Sequence, residues 1–207
     1  AIPGRPASPR KIEAEPPQTE ERKITLYDAV ATQRFAVSYR VSSADQEDSY
    51  ALDVLCSIVF SGQTSRAYRR LVEEKDWLAG IGGSAYTPTF PGLLIYSGTL
   101  KGKLEALPAI QEVESLFAQI ANEGVTEEEL DTAKRQLTLD TVDGVRTPAG
   151  LAQLIGTVTT ILGDPNRFKE DLGRYRRITS SRVREVAKKY LRPEQRNVVV
   201  LMPEEIR

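Results

Sequence analysis

The interpretation of the fold depends on one stretch, Gly62-Gln63-Thr64-Ser65-Arg66-Ala67-Tyr68-Arg69-Arg70-Leu71-Val72-Glu73-Glu74-Lys75, followed by Leu78-Ala79. Thr64 is a residue type that caps helix N-termini, and Tyr68 and Leu71 follow at a helical interval. The pattern predicts an amphipathic helix that buries Tyr68 and Leu71. Arg69 and Arg70 fall elsewhere on its surface and are expected to be at least partly exposed.

Outward from this helix, the chain divides into a strand-rich first half and a mainly helical second half. Alternating or continuously apolar runs predict strands at about 23–27, 34–41, 78–87, 93–99 and 197–202. Helical periodicity and capping boxes at Ser43-x-x-Gln46 and Thr126-x-x-Glu129 predict helices from about 46 to 62 and at 103–122, 127–143, 148–163, 167–176 and 180–191. These elements predict an α+β domain whose sheet has about five to six strands with helices packed against it.

The first residues differ in composition from the rest. Prolines at positions 3, 6, 9, 16 and 17 are typical of a linker, so residues 1–21 are expected to form an interdomain linker or tail and residues 22–207 the domain. The chain opens without Met, and an upstream segment is expected. If that segment carries a signal peptide, the expected compartment is the bacterial periplasm, and otherwise it is the cytoplasm.

Charge and hydropathy exclude several classes of partner. The 28 basic and 29 acidic residues leave a net charge of −1, which favours neither nucleic acid nor an anionic membrane surface. No run reaches the ~18 apolar residues that a membrane-spanning helix requires. The single cysteine, Cys56, lies in an apolar run and is expected to be a buried structural thiol.

The chain contains no histidine. It therefore cannot supply a two-histidine zinc site, a Ser-His-Asp triad or a Cys-His pair. An aspartyl dyad or a lysine nucleophile stays formally open.

The motifs together resemble the C-terminal, zinc-less domain of the M16 (pitrilysin/insulinase-type, inverzincin) zinc metallopeptidases. The resemblance covers about residues 22 to 203, and its order and spacing make it specific. It is carried by the quoted stretch and by Tyr96-Ser97-Gly98-Thr99, Gly124-Val125-Thr126-x-x-Glu129-Leu130-x-x-Ala133-Lys134 and Val198-Val199-Val200. The resemblance implies the M16 peptidase or LuxS-like metallohydrolase fold.

The same resemblance implies that the two domains of the protein have different roles. In the family, the N-terminal domain holds zinc on an inverted His-x-x-Glu-His helix with a distal glutamate, and the glutamate of the motif activates the zinc-bound water. This chain is then expected to hold no metal and no catalytic residue, and to form one wall of a peptide-binding chamber. Its partner is expected to be the zinc-bearing domain, upstream on the same chain or on a partner subunit.

The family's C-terminal domain also contacts substrate through an arginine in this helix and a tyrosine shortly after it. Here Val72 and Gly80 stand at those positions, with an apparent one-residue insertion near Lys75-Asp76-Trp77. Neither side chain offers a hydrogen-bond donor. Arg69 and Arg70 are the remaining candidates for substrate binding, and a solvated or structural arginine is the competing interpretation of each.

The alternative is a non-peptidase structural or assembly subunit that keeps the M16 fold. The missing Arg/Tyr pair favours it, and whether the parent protein is an enzyme stays open at this point. An inverted zinc motif encoded before Ala1, or in an adjacent gene, distinguishes the two hypotheses.

Overall fold

One mixed sheet of five strands organises the computed structural model, which describes residues 13 and 15–204 of the chain. The strands are β1 (Arg22–Asp28), β2 (Arg34–Arg40), β3 (Leu78–Tyr86), β4 (Leu93–Leu100) and β5 (Arg196–Pro203). Their order across the sheet is β1-β5-β2-β4-β3. Only the β1–β5 pair is parallel among these strands. The apolar strand β5 thus takes an internal position in the sheet, between β1 and β2.

The helices pack against one face of this sheet. They are α1 (Asp48–Phe60), α2 (Arg66–Tyr68) with its π-helical continuation (Arg69–Glu74), α3 (Ala106–Glu123), α4 (Glu127–Gly144), α5 (Pro148–Leu162), α6 (Phe168–Arg177), α7 (Ser180–Tyr190) and a 3₁₀ turn (Pro193–Gln195). The predicted α+β class, with a sheet of five to six strands and helices against it, is confirmed. None of the helices in the described ranges is long and apolar enough to cross a membrane.

Side-chain alternation along the strands separates a core face from an open face. In β2, Phe35, Val37 and Tyr39 are buried against the helices. The residues between them point to the opposite face, where Leu93 and Ile95 of β4 are 38% and 40% exposed. We call this second surface the open face of the sheet.

A single carboxylate ties α3 to the two central strands β2 and β4. Tyr39 donates its hydroxyl to both oxygens of Glu114, at 2.6 and 2.7 Å, and Tyr96 donates to Oε1 at 2.9 Å. Burial, and then the charge of Glu114, raises the pKa of Tyr39 far above its ordinary value, so its hydroxyl remains a donor. Arg196 on β5 lies 3.5 Å from the same carboxylate. The sheet and its helical layer are joined here by polar as well as apolar contacts.

A second carboxylate fixes the start of α1 against α7. Asp48, whose side chain is 7% exposed, accepts hydrogen bonds from Lys189 at 2.7 Å, from Tyr190 at 2.6 Å and from Arg182. Burial alone raises the pKa of Asp48, but the hydrogen bonds from Lys189 and Tyr190 and the neighbouring positive charges outweigh it and lower the pKa. Asp48 therefore stays ionised and holds the two helices together.

The helix boundaries correct one sequence prediction and confirm another. The Ser43-x-x-Gln46 box does not form, because the side chain of Ser43 donates to Asp45 and α1 begins later, after Glu47. The Thr126-x-x-Glu129 box does form at the start of α4. Local competition from a nearby aspartate explains the difference, since a serine hydroxyl bonds readily within a turn.

Cys56 lies inside α1 and is buried, as its apolar sequence context predicts. Burial, and to a lesser degree the charge of Asp53, raises the pKa of the Cys56 thiol well above its ordinary value. The thiol is consequently protonated and shielded in the folded chain.

The linker predicted for residues 1–21 lies largely outside the described residues. Its described part, from residue 15 onward, contains neither helix nor strand. Gln18 donates to the carbonyl of Arg196 at 3.0 Å, and Arg40 donates to the carbonyl of Pro16 at 3.2 Å. This segment therefore runs beside β2 and β5.

We expect Asp48→Asn to lower the free energy of unfolding at neutral pH by about 1.5–3 kcal/mol, the range for hydrogen bonds to charged groups. Because the pKa of Asp48 is lower in the folded than in the unfolded chain, the ionised carboxylate stabilises the fold above the ordinary carboxyl range. This contribution is lost as the pH falls through the folded pKa. Urea unfolding of both proteins should show a difference that narrows below a pH of about 4. A difference that does not change with pH would contradict the assignment.

Candidate functional site

The helix predicted from the quoted stretch forms, but with a different start and an irregular interior. Its N-cap is Ser65 and not Thr64, and the Ser65 hydroxyl donates to the carbonyl of Gly62 at 2.8 Å. After one short α-helical turn, the segment Arg69–Glu74 adopts π-helical geometry. A π turn accommodates one additional residue in a helix. The π-helical segment ends just before residues 75–77, where the sequence comparison with the family predicts an insertion.

The segment after the π turn returns the chain to the sheet. The amide of Trp77 donates to the carbonyl of Leu71 at 2.9 Å, and Asp76 has a φ of 54°. A positive φ is uncommon for a residue with a side chain, although aspartate tolerates it better than most. Together these features redirect the chain into β3 over only three residues.

The burial of this helix follows the sequence prediction except at Tyr68. Leu71 is fully buried, and Arg69 and Arg70 are exposed, as expected. Tyr68 is only half-buried, and the small residue Ala67 takes the fully buried place. The helix begins one residue later than predicted and unwinds at Arg69, and this changes which side chains face the core.

A polar groove of about 740 Å³ lies beside this helix, and we call it the helix-side groove. It runs between α1 and α2 on one side and α3 and α4 on the other. Three arginines and three carboxylates line it together with hydroxyl and amide side chains. The charged residues are Arg66, Arg69, Arg70, Glu74, Glu128 and Glu129, and the polar ones include Ser57, Ser61, Thr64, Thr132, Gln119 and Gln136. Both sequence-predicted substrate-binding residues, Arg69 and Arg70, therefore lie in one groove.

Arg66 has a structural partner in this groove. Its guanidinium makes two hydrogen bonds to Glu129, at 2.6 and 2.8 Å. The hydrogen bond from Arg66 lowers the pKa of Glu129 by more than burial raises it, and Thr126 adds to the lowering. Because Glu129 also completes the capping box of α4, this ion pair joins α2 to the start of α4.

Arg70 and Arg69 differ in what they contact. Arg70 pairs with Glu74 and with Glu112, each at 3.1 Å, and Lys75 pairs with Glu112 at 2.6 Å. The side chain of Arg69 makes no hydrogen bond or ion pair with any residue of the described ranges, and it is exposed. Of the two candidates, Arg69 is the one whose guanidinium is available to a ligand.

Val72 and Gly80, which the resemblance aligns with an Arg/Tyr pair, do not line this groove. Val72 is half-buried and packs against the core. Gly80 lies in β3 beside a separate, shallow cavity of about 390 Å³ that also contacts Gly82, Ser97 and Arg34. Strand register places Gly80, Thr99 and Arg34 opposite one another, so this cavity lies on the open face.

Sequence reasoning did not identify Arg34. It is an exposed residue at the start of β2, on the open face. The alternation of Phe35, Val37 and Tyr39 already implies that Arg34 faces away from the core. The sequence gives no sign, however, that small residues on β3 and β4 leave space around it.

None of the described residues forms a metal-binding group. Within residues 13 and 15–204, no cluster of three or more His, Cys, Asp or Glu side chains is positioned to hold a metal ion. The groove, lined by Arg66, Arg69 and Arg70, and the open-face cavity, lined by Arg34, offer guanidinium groups that can donate hydrogen bonds to a ligand.

Comparison with known proteins identifies one matching protein family. The model of the family described as "Peptidase M16 inactive domain" matches residues 1–137. A search of curated proteins finds no match.

Solved structures share the fold at low sequence identity. A protease from Helicobacter pylori has a TM-score of 0.88 and 20% identity, over 97% of this chain and 48% of that one. The peptidase M16 inactive domain from Pseudomonas fluorescens has a TM-score of 0.82 and 17% identity, over 94% and 46%. A chain of Complex III2 from Candida albicans has a TM-score of 0.77 and 11% identity, over 86% and 45%. The present chain thus spans about half the length of each of these three.

We expect Leu71→Ala to destabilise the fold by about 2–5 kcal/mol, because it removes a fully buried side chain and leaves a cavity. Glu73→Ala, an exposed change in the same π-helical segment, is the matched control and should leave the unfolding midpoint close to that of the parent chain. Chemical denaturation of the three proteins provides the measurement. A neutral Leu71→Ala change would show that this helix does not pack as described.

Proposed function

The chain belongs to the peptidase M16 inactive-domain family, and on that premise we propose that it forms one wall of a peptide-binding chamber whose zinc is held by a separate domain. The observation that carries the proposal is the combination of an M16 fold with the absence of histidine from the sequence. Hydrolysis by this family's chemistry requires a zinc-activated water. This domain encloses the substrate and orients it.

The apolar surface that the described residues leave uncovered supports a second domain. The segment 147–163, which contains α5, has no charged residue, and Leu151 is 39% exposed. On α4, Leu139 and Val142 are 56% and 46% exposed. Exposed apolar side chains on two helices that contact each other favour an interaction site here. The zinc-bearing M16 domain, upstream on the same chain or on a partner subunit, is the proposed occupant.

Within the chamber, we assign substrate binding to Arg69, with Arg70 in a supporting role. The guanidinium of Arg69 is unpaired among the described residues and carries five donors suited to peptide carbonyls or carboxylates. Arg70 is engaged by Glu74 and Glu112, and so it positions the helix. This division replaces the family's Arg/Tyr pair, whose positions Val72 and Gly80 occupy here.

A second candidate function is that of a structural or assembly subunit without peptidase activity. The replacement of the substrate-contacting pair by Val72 and Gly80 favours it, since neither residue can hold a peptide carbonyl. The two candidates differ in the partner domain, which has the inverted His-x-x-Glu-His motif in the first case and lacks it in the second.

The first test combines the chain with the M16 domain encoded before Ala1 or in the adjacent gene. We expect this chain alone to hold no stoichiometric zinc and to leave an unfolded fluorogenic peptide intact, and the combination to cleave it. A chelator should abolish that cleavage, and added zinc should restore it. Metal-dependent cleavage by the purified chain alone would refute the proposal, and a partner without the zinc motif that gives no cleavage would establish the structural alternative.

The second test separates Arg69 from Arg70 in the combined enzyme. Arg69→Ala should raise KM about tenfold or more while leaving the thermal midpoint unchanged, because it removes a ligand contact and no internal one. Arg70→Ala breaks two solvent-exposed ion pairs, whose net contribution to stability is small, so it should change the thermal midpoint little and raise KM less than Arg69→Ala does. Equal KM values for Arg69→Ala and the parent enzyme would remove Arg69 from the binding site.

A further inference from the structure

The strand β3 forms one edge of the sheet, and its outer backbone groups have no partner in the described structure. It pairs only with β4. Beyond strand and helix ladders, the backbone hydrogen bonds of the described chain include none to residues 79–86. A bulge between Leu78 and Gly80 interrupts the beginning of the strand and leaves residues 80–86 regular. Unpaired edge groups of this kind are a template for another strand.

This edge lacks the features that normally prevent strand addition. No charged residue occurs in 78–100, the region that includes both β3 and β4. The opposite edge strand, β1, carries Arg22, Lys23 and Asp28. Natural sheets usually guard their edges with charge, proline or a covering element. The contrast between the two edges of the same sheet shows that β3 is the unguarded one.

The open face beside β3 has room for the side chains of an added strand. A Cβ atom added at Gly80 or Gly82 meets nothing within 4 Å, so both positions are bare. The open-face cavity of about 390 Å³ extends from them across Ser97 to Arg34. The side chain of Arg34 makes no hydrogen bond or ion pair with any described residue.

We propose that β3 binds an extended peptide segment as a sixth strand, with an acidic side chain of that segment directed across Gly80 and Gly82 toward Arg34. Backbone pairing supplies affinity for any extended chain, and the bare glycines and Arg34 supply a preference for an acid at one position. This binding belongs to the present chain alone and does not depend on a zinc-bearing partner. It therefore goes beyond the proposed chamber and can be tested separately from it.

Strand spacing makes the contact with Arg34 feasible. Neighbouring strands lie about 4.8 Å apart, so an added strand is about 14 Å from the backbone of β2. On the open face, the bare glycines of β3 leave only the short side chains of Ser97 and Thr99 on β4 in between, and the long side chains of arginine and glutamate approach each other from the two sides. A shorter or uncharged side chain at that position loses the ion pair but keeps the backbone pairing.

The test uses a fluorescein-labelled peptide, Thr-Val-Thr-Glu-Thr-Val-Thr, and its counterpart with Gln in place of Glu. Fluorescence anisotropy with the full chain should show saturable binding of both, tighter for the Glu peptide. The Glu peptide with methylated backbone nitrogens should not bind, because it cannot donate to the edge of β3. Arg34→Gln should remove the preference for Glu while the Gln peptide binds as before.

Substitutions on the edge itself provide the decisive comparison. Gly82→Lys and Ser84→Lys should each weaken binding of the uncharged Gln peptide by at least about tenfold, since an edge lysine opposes strand addition. Ile24→Lys, on the open face of the opposite edge strand β1, is the matched control and should have no effect. Thermal unfolding confirms that each variant is folded.

Several outcomes would overturn the proposal. They are no saturable binding of either peptide, equal binding of the methylated peptide, or unchanged binding by both lysine variants of β3. Sedimentation of the chain without peptide gives one further outcome that would overturn it. If the chain is a dimer that Gly82→Lys dissociates, the occupant of the edge is a second copy and the assignment to a peptide is wrong.

Discussion

The two tyrosine hydroxyls that donate to Glu114 set the arrangement of the helical layer. A carboxylate in the middle of α3 is tolerated between this helix and the sheet only if its oxygens accept hydrogen bonds, and Tyr39 and Tyr96 donate them from two adjacent strands. The ring of Tyr96 also stacks on Phe60 of α1 with centroids 5.4 Å apart, and it meets Phe117 of α3 edge-on at 5.8 Å. One side chain on β4 thus fixes the position of both helices. A change that frees Glu114 disturbs polar and apolar contacts together.

The same packing explains part of the unusual composition of β3. A Cβ atom at Gly83 would lie 2.7 Å from the ring of Phe60, so the stacking of Phe60 on Tyr96 requires glycine there. Gly80 and Gly82 face the other way and meet no neighbour. The glycine content of this strand therefore has two origins, of which one is core packing and the other is open space on the exposed side. Only the second leaves a surface for a ligand.

Sequence patterns predicted most of the architecture because the signals are local. Alternation in β2, the Thr126 capping box and the burial of Leu71 each depend on residues within a few positions of one another. The pairing of Tyr39 with Glu114 joins residues 75 positions apart, and no local pattern encodes it. The candidate site likewise has features that a local sequence pattern predicts and features that it does not. Exposure of Arg69 follows from helical periodicity, whereas its lack of a partner and the neighbourhood of Arg34 depend on where distant strands and helices place their charges.

Cys56 gives this fold a built-in chemical reporter. As the only thiol in the sequence, and one buried in α1 with a raised pKa, it is unreactive as long as α1 covers it. Modification by a thiol reagent then requires α1 to open from the core, so its rate measures the free energy of that local opening. Because Cys56 is the only thiol, the labelling rate reports on the opening of α1 alone. A partner that stabilises α1 slows this labelling and needs no probe of its own.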